Sequence, residues 1–155
     1  MQSPQPPTER FRFASPEGRR TDPPRARGMA DDWTGLDCRV LVVEDDAATL
    51  EAVAELLEGE GVSVCKAHNG REALELLRRG RVPGLIIVDL MMPVMDGWEL
   101  CRRIADDEDL APIPIAIVTA AAAVGRMPVR RNDAGFFIKP VDYRHLLEVV
   151  RRYSQ

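Results

Sequence analysis

Residues 40–46 read VLVVEDD, in which four apolar residues are followed directly by three acids. A continuous apolar run of this length is typical of a strand that is buried on both faces of a sheet. Two carboxylates about 4 Å apart repel each other by about 4 kcal/mol at the effective dielectric near a protein surface. The three acids must therefore either spread into water or surround a positive charge.

The same alternation of apolar strands and amphipathic helices continues along the chain. Strands are predicted at 39–43, 62–66, 85–90, 113–119 and 136–139. Helices are predicted at 47–58, 70–79, 97–107 and 143–153. Apolar strands separated by helices predict an α/β fold, here a doubly wound, five-stranded parallel sheet of flavodoxin-like order 2-1-3-4-5.

Polar residues lie at the carboxyl ends of four of these strands. Glu44 and Asp45 follow the first strand, Asp89 ends the third, Thr119 ends the fourth and Lys139 ends the fifth. In doubly wound sheets, ligands bind beyond the carboxyl ends of the strands. The pattern therefore predicts that these side chains meet at one edge of the sheet.

Each of these residue types suits a phosphoryl-transfer site that holds Mg²⁺. Carboxylates are the ligands that Mg²⁺ prefers, and Asp89 at the end of an apolar strand is the candidate nucleophile for an aspartyl phosphate. Lys139 is one of only two lysines against nineteen arginines, and its compact charge can pair with phosphate oxygens. Thr119 offers a hydroxyl to the same group.

Each residue also has an ordinary structural role available to it. An acid after a strand often caps a helix, and Asp46 is predicted to cap the helix that starts at residue 47. Thr119 could be a cap and Lys139 a surface charge. The agreement of four separate strand ends favours a shared site over four unrelated roles.

Residues 1–36 are predicted to form a disordered, Pro- and Arg-rich tail that precedes a domain at 37–155. The first 28 residues hold six of the twelve prolines and six arginines against three acids. They contain too few aliphatic residues to offset the entropy cost of ordering. We expect neither a secretory signal nor a membrane span, because no sufficiently long apolar segment occurs.

The net charge of −4 argues against nucleic acid as the main partner. Cys38, Cys65 and Cys101 are far apart and form no C-x-x-C pair. This spacing predicts reduced thiols in a cytoplasmic protein rather than disulfides or metal ligands.

The segment from about 39 to 153 resembles the receiver domain of two-component response regulators. The matching stretches are VLVVEDD, LIIVDLMMPVMDGWEL, IAIVTA and GFFIKP. The D-L-x-M-P-x-M-D-G run is highly specific, whereas the other stretches would be weak alone. The resemblance implies a protein that accepts a phosphoryl group from a sensor histidine kinase or a histidine phosphotransfer protein.

The resemblance also implies a role for each site residue. Asp89 is the phosphoacceptor, Asp45 binds Mg²⁺ directly and Glu44 binds it through water. The backbone carbonyl of Met91 completes the metal site. The acids after the first strand are then tolerated because Mg²⁺ lies among them.

Three further positions match the part of the family that responds to phosphorylation. Thr119 matches the switch hydroxyl, Lys139 matches the lysine that pairs with the phosphate, and Phe136 matches the aromatic that changes rotamer. The Lys139–Pro140 bond matches one that is usually cis in the family. Asp46 matches a variable position and receives no role.

The chain departs from the family between the fourth and fifth strands. Gly125 and Pro128 interrupt the helix expected there, so this helix is predicted to be degenerate. The sequence ends at Gln155, where an output domain would follow. We therefore expect a stand-alone receiver that signals by protein–protein interaction and catalyses only its own phosphorylation and dephosphorylation.

Two alternatives stay open from the sequence. The first is a receiver-like adaptor that binds partners without phosphorylation, against which the full set of site residues argues. The second is an aspartyl-nucleophile phosphohydrolase of the haloacid-dehalogenase type. That family places D-x-D after the first strand and carries a cap domain, whereas this chain has E-D-D there and no cap sequence.

Overall fold

The computed structural model describes residues 38–80, 82–120 and 133–155. The strands are β1 (Val40–Val43), β2 (Val64–Ala67), β3 (Leu85–Asp89), β4 (Ile115–Thr119) and β5 (Asp133–Ile138). The helices are α1 (Ala47–Gly59), α2 (Gly70–Arg78), α3 (Gly97–Asp106) and α4 (Tyr143–Tyr153). The strands are parallel and form one sheet of order β2-β1-β3-β4-β5, which confirms the predicted fold class and strand order.

Helices cover the sheet on both faces, as the unbroken apolar strands predict. One core cluster packs the sheet against α2 and α3, and a second packs it against α1 and α4. Every residue of β1, β3 and β4 is buried. Since these central strands have no solvent-facing side, their polar residues can appear only at the ends, which is where the acids lie.

The four helices begin at residues that cap them with side-chain oxygens. The predicted caps Asp46, Asn69 and Asp142 are confirmed, and Asp96 caps α3 in the same way. Each accepts a hydrogen bond from a backbone N–H of the first helical turn, which would otherwise lack a partner. Within the described parts of the chain, no helix combines the length and apolar character that crossing a membrane requires.

The fifth strand begins earlier than predicted, at Asp133 instead of residue 136. The added residues, Asp133 to Gly135, are not an apolar run, and their pairing with β4 places them in the sheet. A register shift lies between Ile115 and Ala116, opposite this added segment. The degenerate helix predicted around Gly125 and Pro128 lies outside the described residues, as does the predicted tail at 1–36.

Two of the cysteines that are far apart in the sequence lie side by side in the fold. The Sγ atoms of Cys38 and Cys65 are in contact, with their Cα atoms 5.6 Å apart, which corrects the expectation of separate thiols. They are 27 residues apart in sequence. The parallel pairing of β1 with β2 brings the two segments together, which spacing along the chain could not reveal. Cys101 lies buried in the core.

Candidate functional site

The predicted site residues meet at the carboxyl edge of the sheet. Glu44 directly follows β1, Asp89 is the last residue of β3, Thr119 is the last residue of β4 and Lys139 directly follows β5. Backbone hydrogen bonds fix these ends against one another, because Lys139 N–H donates to the Thr119 carbonyl over 2.8 Å. The sheet therefore positions the side chains through the register of its strands.

Lys139 bridges the two buried carboxylates of the site. Its Nζ lies 2.8 Å from Asp89 Oδ2 and 3.2 Å from Glu44 Oε2. Asp89 is 5% exposed and Glu44 is 6% exposed, so neither carboxylate has much access to water. Burial acts to lower the pKa of Lys139, but the hydrogen bond and the charge of Asp89, together with Glu44, outweigh it and raise that pKa. The ammonium group therefore stays ionised at neutral pH.

Both oxygens of the Asp89 carboxylate accept hydrogen bonds. Oδ2 accepts from Lys139, and Oδ1 accepts from the backbone N–H of Met91 over 3.0 Å. Asp89 itself ends a fully buried strand. The backbone, the adjacent loop and the ammonium group thus fix its orientation.

Three carboxylates are close enough to share one metal ion. Glu44, Asp45 and Asp89 each place one oxygen within 4.8 Å of the others. With Lys139 they carry a net charge of −2 when all four are ionised. Hard oxygen ligands with this net charge fit a divalent cation such as Mg²⁺. All three acids lie in the described part of the chain. Asp45 is exposed, and the other two are buried.

Without a bound cation, the environment of the buried acids favours the protonated form of Glu44. Burial raises the pKa of Glu44 from 4.5 to about 7, and the charge of Asp89 acts in the same direction. A backbone hydrogen bond from Asp46 and the charge of Lys139 oppose the shift without cancelling it. The single positive charge of Lys139 therefore does not balance the negative charge of these buried carboxylates. A bound divalent cation would balance it.

Asp46 is not part of this cluster, as predicted. Its Oδ2 accepts from the backbone N–H of Thr49 over 2.9 Å and also from the Thr49 hydroxyl. The hydroxyl bond lowers the pKa of Asp46. The third acid of VLVVEDD therefore serves helix α1.

The predicted switch residues lie beside the site in different environments. Thr119 is fully buried, and its hydroxyl has no hydrogen-bond partner among the described residues. Phe136 is half-buried and packs against the core cluster on the α2 and α3 face. Met91 has an exposed side chain and touches the site through its backbone N–H.

Sequence reasoning missed two glycines that support the loop after Asp89. Gly97 N–H donates to the Leu90 carbonyl over 3.0 Å, and a Cβ at Gly97 would collide with the backbone of Asp89 and Leu90. Gly70 N–H donates to the Met95 carbonyl over 3.1 Å. Both glycines are the first residues of helices. A glycine at this position was the feature of the sequence that could have indicated a close contact with the loop.

A cavity of about 240 Å³ opens at this site. Glu44, Asp89 and Lys139 supply its charged surface, and Val118 and Pro140 contribute to its apolar wall. The carboxylates of Glu44 and Asp89 and the ammonium group of Lys139 therefore face one shared space.

Comparison with known proteins agrees with this geometry. The sequence profile of the response regulator receiver domain matches residues 40–151. The polar-differentiation response regulator DivK of Brucella anthropi is 33% identical over 116 residues, covering 74% of this chain and 94% of DivK. The crystal structure of a response regulator receiver protein from Pseudomonas putida superposes with a TM-score of 0.64 at 33% identity, covering 73% of this chain and 94% of that one.

A further solved structure bears on the acidic cluster. TrrA from Thermotoga maritima was crystallised in complex with Mg²⁺ and BeF, and it matches with a TM-score of 0.65 at 26% identity. The match covers 75% of this chain and 98% of TrrA. The family profile, the relatives and the strand order together show that the chain belongs to the response regulator receiver domain family, whose members are signalling phosphoacceptors rather than enzymes.

Proposed function

We propose that this protein is a stand-alone receiver that takes a phosphoryl group on Asp89 from a phosphohistidine and signals by binding another protein. The observation that carries the proposal is the setting of Asp89. Its carboxylate is buried, is oriented by Met91 N–H and Lys139 Nζ, and faces a cavity. A carboxylate held in this way suits nucleophilic attack better than a solvated surface acid.

The transfer exchanges one bond to phosphorus for another. An Asp89 oxygen forms the new P–O bond while the P–N bond of the donor phosphohistidine breaks, and the released imidazole nitrogen keeps the electron pair and takes up a proton. The donor is a sensor histidine kinase or a histidine phosphotransfer protein. Lys139 then exchanges part of its contact with Asp89 for the phosphoryl oxygens, which carry more charge.

Asp45, Asp89 and the backbone carbonyl of Met91 are the proposed direct Mg²⁺ ligands, and Glu44 is proposed to bind the ion through water. The 4.8 Å acid cluster supports the assignment, as does the Mg²⁺ and BeF complex of TrrA. Bound Mg²⁺ would neutralise charge on the phosphoryl oxygens during transfer.

Thr119 and Phe136 are the proposed readout of phosphorylation. A buried hydroxyl without a partner costs about 1–3 kcal/mol, so a phosphoryl oxygen offers Thr119 a favourable contact. Phe136, which is only half-buried, can move inward when Thr119 shifts toward Asp89. Thr119 ends β4 and pairs with Ile138 of β5, and Phe136 lies two residues before Ile138, where it pairs with Ile117.

A relative that consists almost wholly of this domain supports the assignment as a stand-alone regulator. The match covers 94% of DivK. We assign the receiver to residues 37–155 and the tail to residues 1–36. Output then depends on a surface that a second protein recognises.

Labelling with acetyl phosphate and Mg²⁺ tests the proposal. Intact mass and Phos-tag electrophoresis should show one phosphoryl group on the wild type and none on Asp89→Asn. Asp46→Asn is the matched control, because it replaces a nearby acid by another good helix cap. Equal labelling of wild type and Asp89→Asn would place the phosphoryl group elsewhere. Absence of labelling in all three, including with a phosphorylated kinase as donor, would favour the adaptor alternative.

A further inference from the structure

We infer that the amino end of α2 is a strut that holds the β3–α3 loop, residues 90–96, in the position that the phosphoacceptor site needs. Gly70 is the positioning residue of this strut. The inference rests on the proposed function, because it names a determinant of the same metal and phosphoryl site. Gly70 belongs to a different helix and touches none of the acids.

Backbone hydrogen bonds tie the β3–α3 loop to the rest of the protein on both sides of Met91. At its base, Gly97 N–H donates to the Leu90 carbonyl over 3.0 Å. At its far side, Gly70 N–H donates to the Met95 carbonyl over 3.1 Å. Between these ties lies Met91, whose N–H orients the carboxylate of Asp89. A displacement of Met95 would therefore pass along a short loop to the carboxylate.

The amino end of α2 is rigid enough to act as a strut. Asn69 accepts from Glu72 N–H over 2.9 Å, and Glu72 Oε2 accepts from His68 N–H over 2.8 Å. The first bond caps α2, and the second ties the residue before the cap to the same turn, so the two together fix the start of the helix. Gly70 lies directly inside this turn, is buried, and presents its N–H to the loop.

The contact leaves no room for a side chain at position 70. A Cβ on Gly70 would lie 2.8 Å from Met95 Cγ and 2.9 Å from the Met95 carbonyl oxygen. The oxygen belongs to the backbone, so the loop itself must move to admit a methyl group. Gly59 in α1 has nothing within 4 Å of the corresponding Cβ. Gly59→Ala is therefore a matched control for the substitution itself.

The expected effect is on the metal site more than on the fold. Residues that orient metal ligands from outside the site typically change metal affinity by about 10- to 100-fold when replaced. We expect Gly70→Ala to weaken Mg²⁺ binding within this range, and Gly59→Ala to leave it unchanged. Met95→Ala should remain close to wild type, because it removes packing but keeps the carbonyl that Gly70 contacts.

Calorimetric Mg²⁺ titrations of the full chain, with thermal melts of the same samples in EDTA, test this expectation. Loss of affinity in Gly70→Ala alone supports the strut. An affinity equal to that of Gly59→Ala overturns it. Equal losses in Gly70→Ala and Met95→Ala would also overturn it, since side-chain packing would then hold the loop.

Metal-free NMR separates this inference from the proposed function. In EDTA, Gly70→Ala should shift the Met91 amide resonance, which reports the bond to Asp89, and Gly59→Ala should not. A shift without Mg²⁺ binding by the wild type would contradict the metal assignment but keep the strut. No shift would overturn the strut whatever the metal does.

Hydrogen exchange on the wild type covers the case in which Gly70→Ala does not fold. Because coupling between two sites is reciprocal, Mg²⁺ should slow exchange of the Gly70 amide. The Gly80 amide, which donates to the Leu77 carbonyl at the other end of α2, is the internal reference. Equal changes at Gly70 and Gly80 would contradict a specific link to the loop.

Discussion

Lys139 Nζ lies 2.8 Å from Asp89 Oδ2, although 50 residues separate them in the sequence. The contact spans the end of β4, because β4 lies between β3, which ends at Asp89, and β5, which Lys139 follows. Because Glu44 shares the same ammonium group, one cation stabilises two buried acids. Its removal should affect stability and metal binding in opposite directions.

We predict that Lys139→Met lowers the free energy of unfolding in EDTA by about 1–3 kcal/mol, because it leaves two buried carboxylates without their cation. The same change should tighten Mg²⁺ binding by about tenfold, since the ammonium group no longer repels the metal. Chemical denaturation and calorimetric titration measure the two effects. Lys66→Met is the matched control, because Lys66 pairs with Glu51 at the surface. Weaker Mg²⁺ binding in Lys139→Met would show that the ammonium group does not compete with the metal.

We predict that Asp45→Asn abolishes Mg²⁺ binding at millimolar metal, whereas Asp46→Asn changes it little. Asp45 contributes an oxygen to the acid cluster, and Asp46 is bound to Thr49 at the start of α1. Calorimetric titration of both variants checks this. If Asp46 proved the stronger determinant, the assignment of ligands after β1 would be wrong.

We predict that Mg²⁺ binding weakens by about tenfold between pH 8 and pH 6, because the metal must displace a proton from Glu44. The pKa of Glu44 is raised to about 7, mainly by burial, so the carboxyl group protonates within this window. Titrations at several pH values measure the effect. Glu44→Gln should bind Mg²⁺ more weakly and with a flatter pH dependence.

The same shift predicts the pH dependence of the metal-free protein. A raised pKa means that the folded state holds the proton more tightly than the unfolded state does. The contribution of Glu44 to stability is therefore fully present below about pH 4.5 and is lost as the pH rises through about 7. The difference in melting temperature between wild type and Glu44→Gln in EDTA should follow this window, and a difference independent of pH would contradict it.

We predict that Val94→Gly raises the free energy of unfolding by about 0.5–1 kcal/mol. The substitution relieves backbone strain, and the entropy cost of glycine offsets part of that gain. Val94 has a φ of 70°, which is unfavourable for a β-branched residue, and the residue is 72% exposed, so little packing is lost. Chemical denaturation measures the change. Val82→Gly, at another exposed valine, should destabilise the protein.

We predict that removing residues 1–28 leaves the free energy of unfolding within about 0.5 kcal/mol of the full chain and leaves labelling of Asp89 unchanged. The family profile begins at residue 40, where β1 also begins. Thermal melts and Phos-tag electrophoresis compare the two chains. A drop of several degrees in melting temperature would show that the segment packs on the domain.

The sequence alone was sufficient for the strand order and for which polar residues meet at the carboxyl edge of the sheet. Continuous apolar runs such as VLVV and LIIV leave no solvent-facing side, so these strands must be central and their first polar residue must lie at an edge. Asp46 could be assigned to α1 for a similar local reason, because an acid directly before a helix caps it. Each of these inferences depends on neighbours within a few residues of one another.

Only the tertiary structure decided contacts between residues far apart in the chain. Pairing with β4 brought Asp133 to Gly135 into β5, and pairing of β1 with β2 brought Cys38 to Cys65. The contact of Gly70 with Met95 is likewise invisible in the sequence, where any small residue would suit the first turn of α2. Close approach between separate elements depends on how they pack, and a few tenths of an ångström there decide whether a methyl group fits.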